Sequence, residues 1–96
     1  MHVISEKQLK VFWDRHLNAE EPLRSWVKLI ELHRFRNFAE LRRLFPQADQ
    51  VGRLTVFNIG GNKVRLITAI HYNRQKVYVR AVLTHAEYDA GKWKET

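Results

Sequence analysis

Two apolar runs joined by a short polar link decide the fold: Lys63-Val64-Arg65-Leu66-Ile67-Thr68-Ala69-Ile70-His71-Tyr72, then Asn73-Arg74-Gln75, then Lys76-Val77-Tyr78-Val79-Arg80-Ala81-Val82-Leu83-Thr84. β-Branched residues are frequent in both runs, and the three polar residues between them suit a hairpin loop. Just upstream, Leu54-Thr55-Val56-Phe57-Asn58 reads as another strand, and Gly60-Gly61 marks the turn that follows it. The second half is therefore expected to be an antiparallel meander. Alternate strand residues share a face. Lys63 and Arg65 then project with Ile67 and Ala69, opposite Val64, Leu66, Thr68 and Ile70. On the last run, Tyr78 and Arg80 share one face, and Val77, Val79, Ala81 and Leu83 form the apolar one. With the apolar faces packed on helices, Lys63, Arg65, Tyr78 and Arg80 line an outward, concave surface.

The first half supplies those helices. His2-Val3-Ile4 reads as a short strand entering the first helix, and Ser5 with Gln8 has the spacing of a capping box. Leu9, Phe12, Trp13 and His16 recur at helical spacing and give one buried face. Glu20-Glu21-Pro22 opens a second helix, with acids at its positive end and proline in the first turn. Its apolar stripe is Leu23, Trp26, Val27 and Ile30, with Arg24, Lys28 and Glu31 on the other side. Asn37 and Glu40 open a short third helix carrying Phe38, Leu41 and Phe45, which Pro46 stops. The expected class is α+β, in the order β-α-α-β-β-β, with helices on one face of a small, mostly antiparallel sheet.

Ninety-six residues suit a single domain, 1–96, and 45% hydrophobic residues can fill its core. The absence of cysteine removes disulfides and thiolate chemistry, and no apolar run approaches the length of a membrane helix. The first residues do not read as a signal peptide. These features lead to the expectation of a cytoplasmic protein with no membrane partner. Residues 1–50 hold nine Lys/Arg against seven Asp/Glu, and residues 51–96 hold eight against three, so +2 and +5 make the net +7. Between Asp49 and Glu87 there is no carboxylate, while Arg53, Lys63, Arg65, Arg74, Lys76, Arg80, His71 and His85 fall in or beside the strands. Such a surface is suited to a polyanion. Cations interleaved with an aromatic suit phosphate clamping and base stacking in particular.

His85 and Tyr88 lie three apart just after the last strand, so a helical turn there puts both on one side. Histidine exchanges protons near neutral pH, and a tyrosine hydroxyl can donate a proton or its ring can stack on a base. Arginines hold a phosphate and stabilise the charge that grows on it. Together these groups suit RNA cleavage without a metal, in which the ribose 2′-hydroxyl attacks its own phosphate and a cyclic phosphate results. Each residue also has a plainer reading. An arginine on a strand can be solvated or ion-paired, His85 can cap a turn, and Tyr88 can be an edge aromatic. His2, His16, His33 and His71 are scattered and suggest no metal site. Gly60-Gly61 lacks the phosphate-loop pattern and reads as a turn that sets Asn62 and Lys63 at the mouth of the sheet. Trp13 and Trp26 belong to core stripes, while Trp93, between Lys92 and Lys94, is open to either reading.

The segments Val56-Phe57-Asn58-Ile59-Gly60-Gly61-Asn62-Lys63-Val64-Arg65-Leu66 and Thr84-His85-Ala86-Glu87-Tyr88-Asp89 closely resemble the HigB toxin family, of the RelE-type ribonuclease superfamily. Val3-Ile4-Ser5, Ala19-Glu20-Glu21-Pro22-Leu23 with Trp26, and Trp93-Lys94 also fit its pattern. The resemblance implies a RelE-like fold and cleavage of messenger RNA in the ribosomal 30S decoding site, with no cofactor. It also implies a HigA-like helix-turn-helix antitoxin, with operator DNA bound only through that antitoxin. Carried across, Arg65 and Arg80 match strand arginines at the scissile phosphate. His85 and Tyr88 match the C-terminal positions for proton transfer and stacking, and Lys63 matches an assisting basic residue. Asn62, Tyr78, Arg53, Arg74, Lys76 and Lys92 join Lys63 as candidate RNA-binding residues. Some RelE-type toxins use a glutamate base, but Glu87 is a poor substitute, since its neighbours His85 and Tyr88 face elsewhere.

A ribosome-dependent endoribonuclease toxin is the leading expectation. The alternatives are a non-catalytic RNA-binding module and a gyrase-inhibiting toxin of the same fold. The set Arg65, Arg80, His85 and Tyr88 favours cleavage over gyrase inhibition, which needs no proton-transfer residues.

Overall fold

In the computed structural model, which describes residues 1–61, 63–91 and 93, the expected meander forms the centre of a five-stranded sheet of order β1-β5-β4-β3-β2. The strands are β1 (His2–Ile4), β2 (Asp49–Val51), β3 (Leu54–Ile59), β4 (Val64–His71) and β5 (Lys76–Thr84). All neighbours are antiparallel except β1, which runs parallel to β5 with His2 opposite Lys76 and Ile4 opposite Tyr78. A parallel neighbour cannot be reached by a tight turn, and here the helices and the whole meander lie between the two strands. The α+β architecture is the one expected, with β2 as an additional edge strand. Asp49-Gln50-Val51 is too polar and too short to give a strand signal of its own, and its pairing with Leu54, Thr55 and Val56 on the hairpin around Gly52 comes from the turn.

Three helices cover one face: α1 (Glu6–Arg15), α2 (Glu20–Leu32) and α3 (Phe38–Leu44), with a 3-10 turn (Leu17–Ala19) between the first two. The α2 stripe Leu23, Trp26 and Ile30 is fully buried, at one-turn and two-turn spacing. It meets Phe57, Leu66 and Val77 from the sheet, with Trp26 and Phe45 both edge-on to Phe57. Each such aliphatic side chain contributes about 1.5–3 kcal/mol by leaving water. Asn37 caps α3 by accepting from the Glu40 N–H at 3.0 Å, as its position suggested.

Three local expectations are corrected. Ser5 makes no cap bond and lies in the left-handed region at φ 73°. Gln8, its expected partner, instead donates to the Val79 carbonyl at 3.0 Å and ties α1 to β5. Lys63 precedes β4 rather than starting it. The third correction matters most. Thr68 pairs with Val79 and Ile67 with Ala81, so Arg80 is an extra residue in a bulge of β5. Every side chain beyond it changes face. Val77, Val79 and Val82 pack under the helices, whereas Ala81 and Leu83 join Val56 and Ile67 on the opposite, open face. That face is therefore partly apolar. The short helix α4 (His85–Asp89) follows β5, and Tyr88 and Trp93 pack against the cluster.

Candidate active site on the open face

Arg65 is the charged residue most deeply set in the sheet, with only 8% of its surface exposed. Pairing places it between Asn58 on β3 and Leu83 on β5. Its guanidinium lies 5.4 Å from the centroid of the Tyr88 ring, a cation–π contact that helps to hold the charge in place. Tyr88 is fixed in turn by Trp93, whose ring stacks on it at 5.0 Å and 15° and whose indole N–H donates to the Tyr88 carbonyl at 3.0 Å. Arg65 and Tyr88 border a pocket of about 280 Å³ with Arg42, Gln47, Asp49, Val56 and Asn58. The two aligned positions expected to act on RNA are thus in contact. With Trp93 stacked on the ring and Arg65 against it, Tyr88 has little free face for a base. Its hydroxyl has no hydrogen-bond partner among the described residues, which makes it the group best left to act.

His85 is the first residue of α4, and its Nε2 stands 3.0 Å from an Asp89 carboxylate oxygen, one turn on. Both side chains are more than half exposed. A carboxylate on one ring nitrogen orients an imidazole and leaves the other nitrogen for proton exchange. Glu87, between them, is used differently. Its carboxylate accepts from the Thr84 N–H at 2.9 Å, and the Thr84 hydroxyl accepts from the Glu87 N–H at 3.2 Å. This capping box fixes the start of α4. The Thr84 backbone hydrogen bond holds the Glu87 carboxyl below the ordinary glutamate range, with smaller help from the Thr84 side chain and the charge of His16. Its engagement in the cap gives a structural reason why it is poorly placed to be a base.

The remaining candidates are dispersed. Arg80, exposed at the bulge, borders a separate pocket of about 620 Å³ with Leu54, Ile67, Leu83 and Trp93. It lies three residue steps along β5 from Leu83, the partner of Arg65, roughly 10 Å at strand spacing. Lys63 lines another pocket, beside Arg15, His16 and Pro22. Tyr78 packs edge-on to His71 at 5.0 Å and pairs with Ala69, at the far end of the sheet from Arg65. Lys76 pairs with His71 at that same end, and Arg74 lies in the hairpin turn beyond it. Arg53 is exposed in the turn between β2 and β3. Asn62 and Lys92, together with Lys94, lie outside the described residues. Sequence reading alone did not single out Asn58, Gln47 or Arg42 as site residues. The available signal was a lone amide on an otherwise apolar strand face, shared with Leu54 and Val56. Among the described residues, no three His, Asp or Glu side chains converge as a metal-holding group, and no helix is long and apolar enough to cross a membrane.

The profile of the HigB toxin family, the RelE-like toxic component of a toxin–antitoxin system, matches residues 19–91. This chain belongs to the HigB toxin family. It is 34% identical to the mRNA interferase toxin HigB of Escherichia coli strain K12 over 92 residues, covering 93% of this chain and 88% of that protein. The mRNA interferase HigB of Shigella flexneri matches at the same identity and coverage. A further mRNA interferase HigB, from another Escherichia coli strain, is 29% identical over the same length. As the toxic component of a toxin–antitoxin system, a HigB toxin has an antitoxin as its partner. The matched span contains the Arg65–Tyr88 contact, the Arg80 bulge and His85.

Proposed function

We propose that this HigB-family toxin is a ribosome-dependent endoribonuclease that cuts messenger RNA in the 30S decoding site. The observation that carries this reading is Arg65, a nearly buried guanidinium fixed by Tyr88 at the edge of a small polar pocket. A cation held so firmly needs no reorganisation when charge builds on a phosphate, which is the condition for effective transition-state stabilisation. In the step proposed, the ribose 2′-oxygen bonds to its adjacent phosphorus and the bond to the 5′-oxygen breaks. The products are a 2′,3′-cyclic phosphate and a 5′-hydroxyl. The 2′-hydroxyl proton passes to a base, and a proton reaches the leaving oxygen from an acid. His85, oriented by Asp89, exchanges one of these protons, and the Tyr88 hydroxyl is its partner. Arg80 takes a neighbouring phosphate, since its pocket is distinct. Lys63, Tyr78, Arg53, Arg74 and Lys76 spread along the sheet, and the cations among them draw RNA and ribosome to the surface.

On this reading the toxin acts in the cytoplasm and requires no cofactor. A HigA-like helix-turn-helix antitoxin restrains it, and operator DNA is reached only through that antitoxin. Primer extension on total RNA after brief expression in a bacterial host tests the proposal, with the Arg65→Ala/His85→Ala double variant as control. Codon-registered cuts that vanish in the control are expected. Growth arrest with intact messages would favour gyrase inhibition or RNA binding without cleavage.

A further inference from the structure

We propose that the side-chain amides of Asn58 and Gln47 form a nucleobase-reading subsite beside Arg65, an assignment that rests on the ribonuclease reading above. Asn58 is the direct cross-strand partner of Arg65, so the two side chains leave the same face of the sheet about 5 Å apart. A group that reads a base must sit one nucleotide's reach from the group that holds its phosphate, and this register supplies that distance. Asn58 is half-buried on a strand whose same-face neighbours, Leu54 and Val56, are apolar. Its Nδ2 donates to the Gln47 carbonyl at 3.2 Å. One donor and one acceptor are consumed in that bond. The Asn58 carbonyl and the Gln47 NH₂ remain, an acceptor and a donor side by side.

That pairing of unused groups matches the edge of a nucleobase, where a donor stands next to an acceptor. Phosphate is a poorer fit, because the amides carry no charge and Arg65 and Arg42 already supply cations to the same pocket. The pocket holds about 280 Å³, just below the roughly 300–1,000 Å³ of sites that enclose drug-sized ligands. A single flat ring fits that scale. Asp49, also on its wall, accepts hydrogen bonds only. It therefore favours a base with an exocyclic amino group, such as adenine or cytosine, over uracil. The amide pair also walls a second pocket, together with Phe45, Phe57 and Gly61. It thus stands between two pockets, one of them bordered by Arg65.

The plainer role for the same bond is to pin the segment before β2 to the sheet. Sequencing the 5′ ends of cut messages separates the two roles, using wild type, Gln47→Ala and Asn58→Ala after brief expression. Gln47 is exposed, so its truncation leaves the fold intact even if Asn58→Ala does not. The expected result is that the variants still cut, while the base preference at one position next to the cut flattens about tenfold or more. An unchanged base pattern, with or without a lower overall rate, would overturn the subsite and leave the ribonuclease reading standing. Absence of cuts with wild type would instead overturn both.

Discussion

The Arg65 guanidinium rests 5.4 Å from the centroid of the Tyr88 ring, and the Trp93 ring stacks on that same tyrosine at 5.0 Å. Two ring contacts thus serve to position an arginine, and the phenolic oxygen is left over. Replacing Tyr88 by Phe keeps both ring contacts and removes only the oxygen. The expected outcome is a cleavage rate lowered about 10²–10⁴-fold, with the melting temperature of wild type. Tyr88→Ala should fall further, because it also releases Arg65. Single-turnover cleavage of a programmed ribosome checks this. A Phe variant with wild-type rate would assign Tyr88 a positioning role alone.

His85 and Asp89 are exposed and one helical turn apart, with 3.0 Å between ring nitrogen and carboxylate. Exposed pairs of this kind contribute about 0–1 kcal/mol, so the pair does little for folding. Its value is in aiming the imidazole. Asp89→Asn should reduce cleavage about tenfold and His85→Ala about 10²–10⁴-fold, both with unchanged thermal unfolding. Loss of activity that tracks loss of stability in these variants would remove His85 from the chemistry.

The long elements were legible because their signals are local. The α2 stripe and the Asn37 cap follow from spacing alone, and β3, β4 and β5 from β-branched content and turns. Three features were not, each for a nonlocal reason. Gln8 abandons Ser5 for the Val79 carbonyl, a residue 71 positions away. The Arg80 bulge reassigns Ala81 and Leu83 to the other face, and only the unbroken apolar run Ala81-Val82-Leu83 hinted that simple alternation fails there. Asn58 becomes part of the site only when register sets it opposite Arg65. In contrast, the resemblance to known toxins pointed to Arg65 and Tyr88 before any geometry brought them together.

Tyr72, at the end of β4, offers a test of the core free of any functional role. Its hydroxyl is buried, and among the described residues none meets it in full hydrogen-bond geometry; burial pushes its ionisation upward, and the nearby Thr55 side chain offsets only part of that. An unsatisfied buried hydroxyl costs more than it returns. Tyr72→Phe should therefore be neutral or stabilising by up to about 1 kcal/mol, read as a higher midpoint in urea. A loss of stability would mean that the Thr55 side chain holds the oxygen in a hydrogen bond worth keeping.

Glu87 gives the fold a pH dependence of predictable sign. The Thr84 backbone hydrogen bond lowers its carboxyl pKa in the folded state. A carboxyl depressed by folding stabilises fully above its unfolded value, and that contribution disappears as pH falls through the folded value. The window is therefore acid, below about pH 4.3. Glutamine at the same position can still close the capping box but cannot titrate. Thermal unfolding followed from pH 6 to pH 3 should show wild type ahead of Glu87→Gln near neutrality and converging with it in acid. Comparing the two proteins cancels the titration of every other carboxylate, so parallel curves would mean that the Glu87 charge adds nothing to the cap. Because α4 carries both His85 and Tyr88, cleavage by wild type should weaken over the same acid window more steeply than cleavage by the glutamine variant.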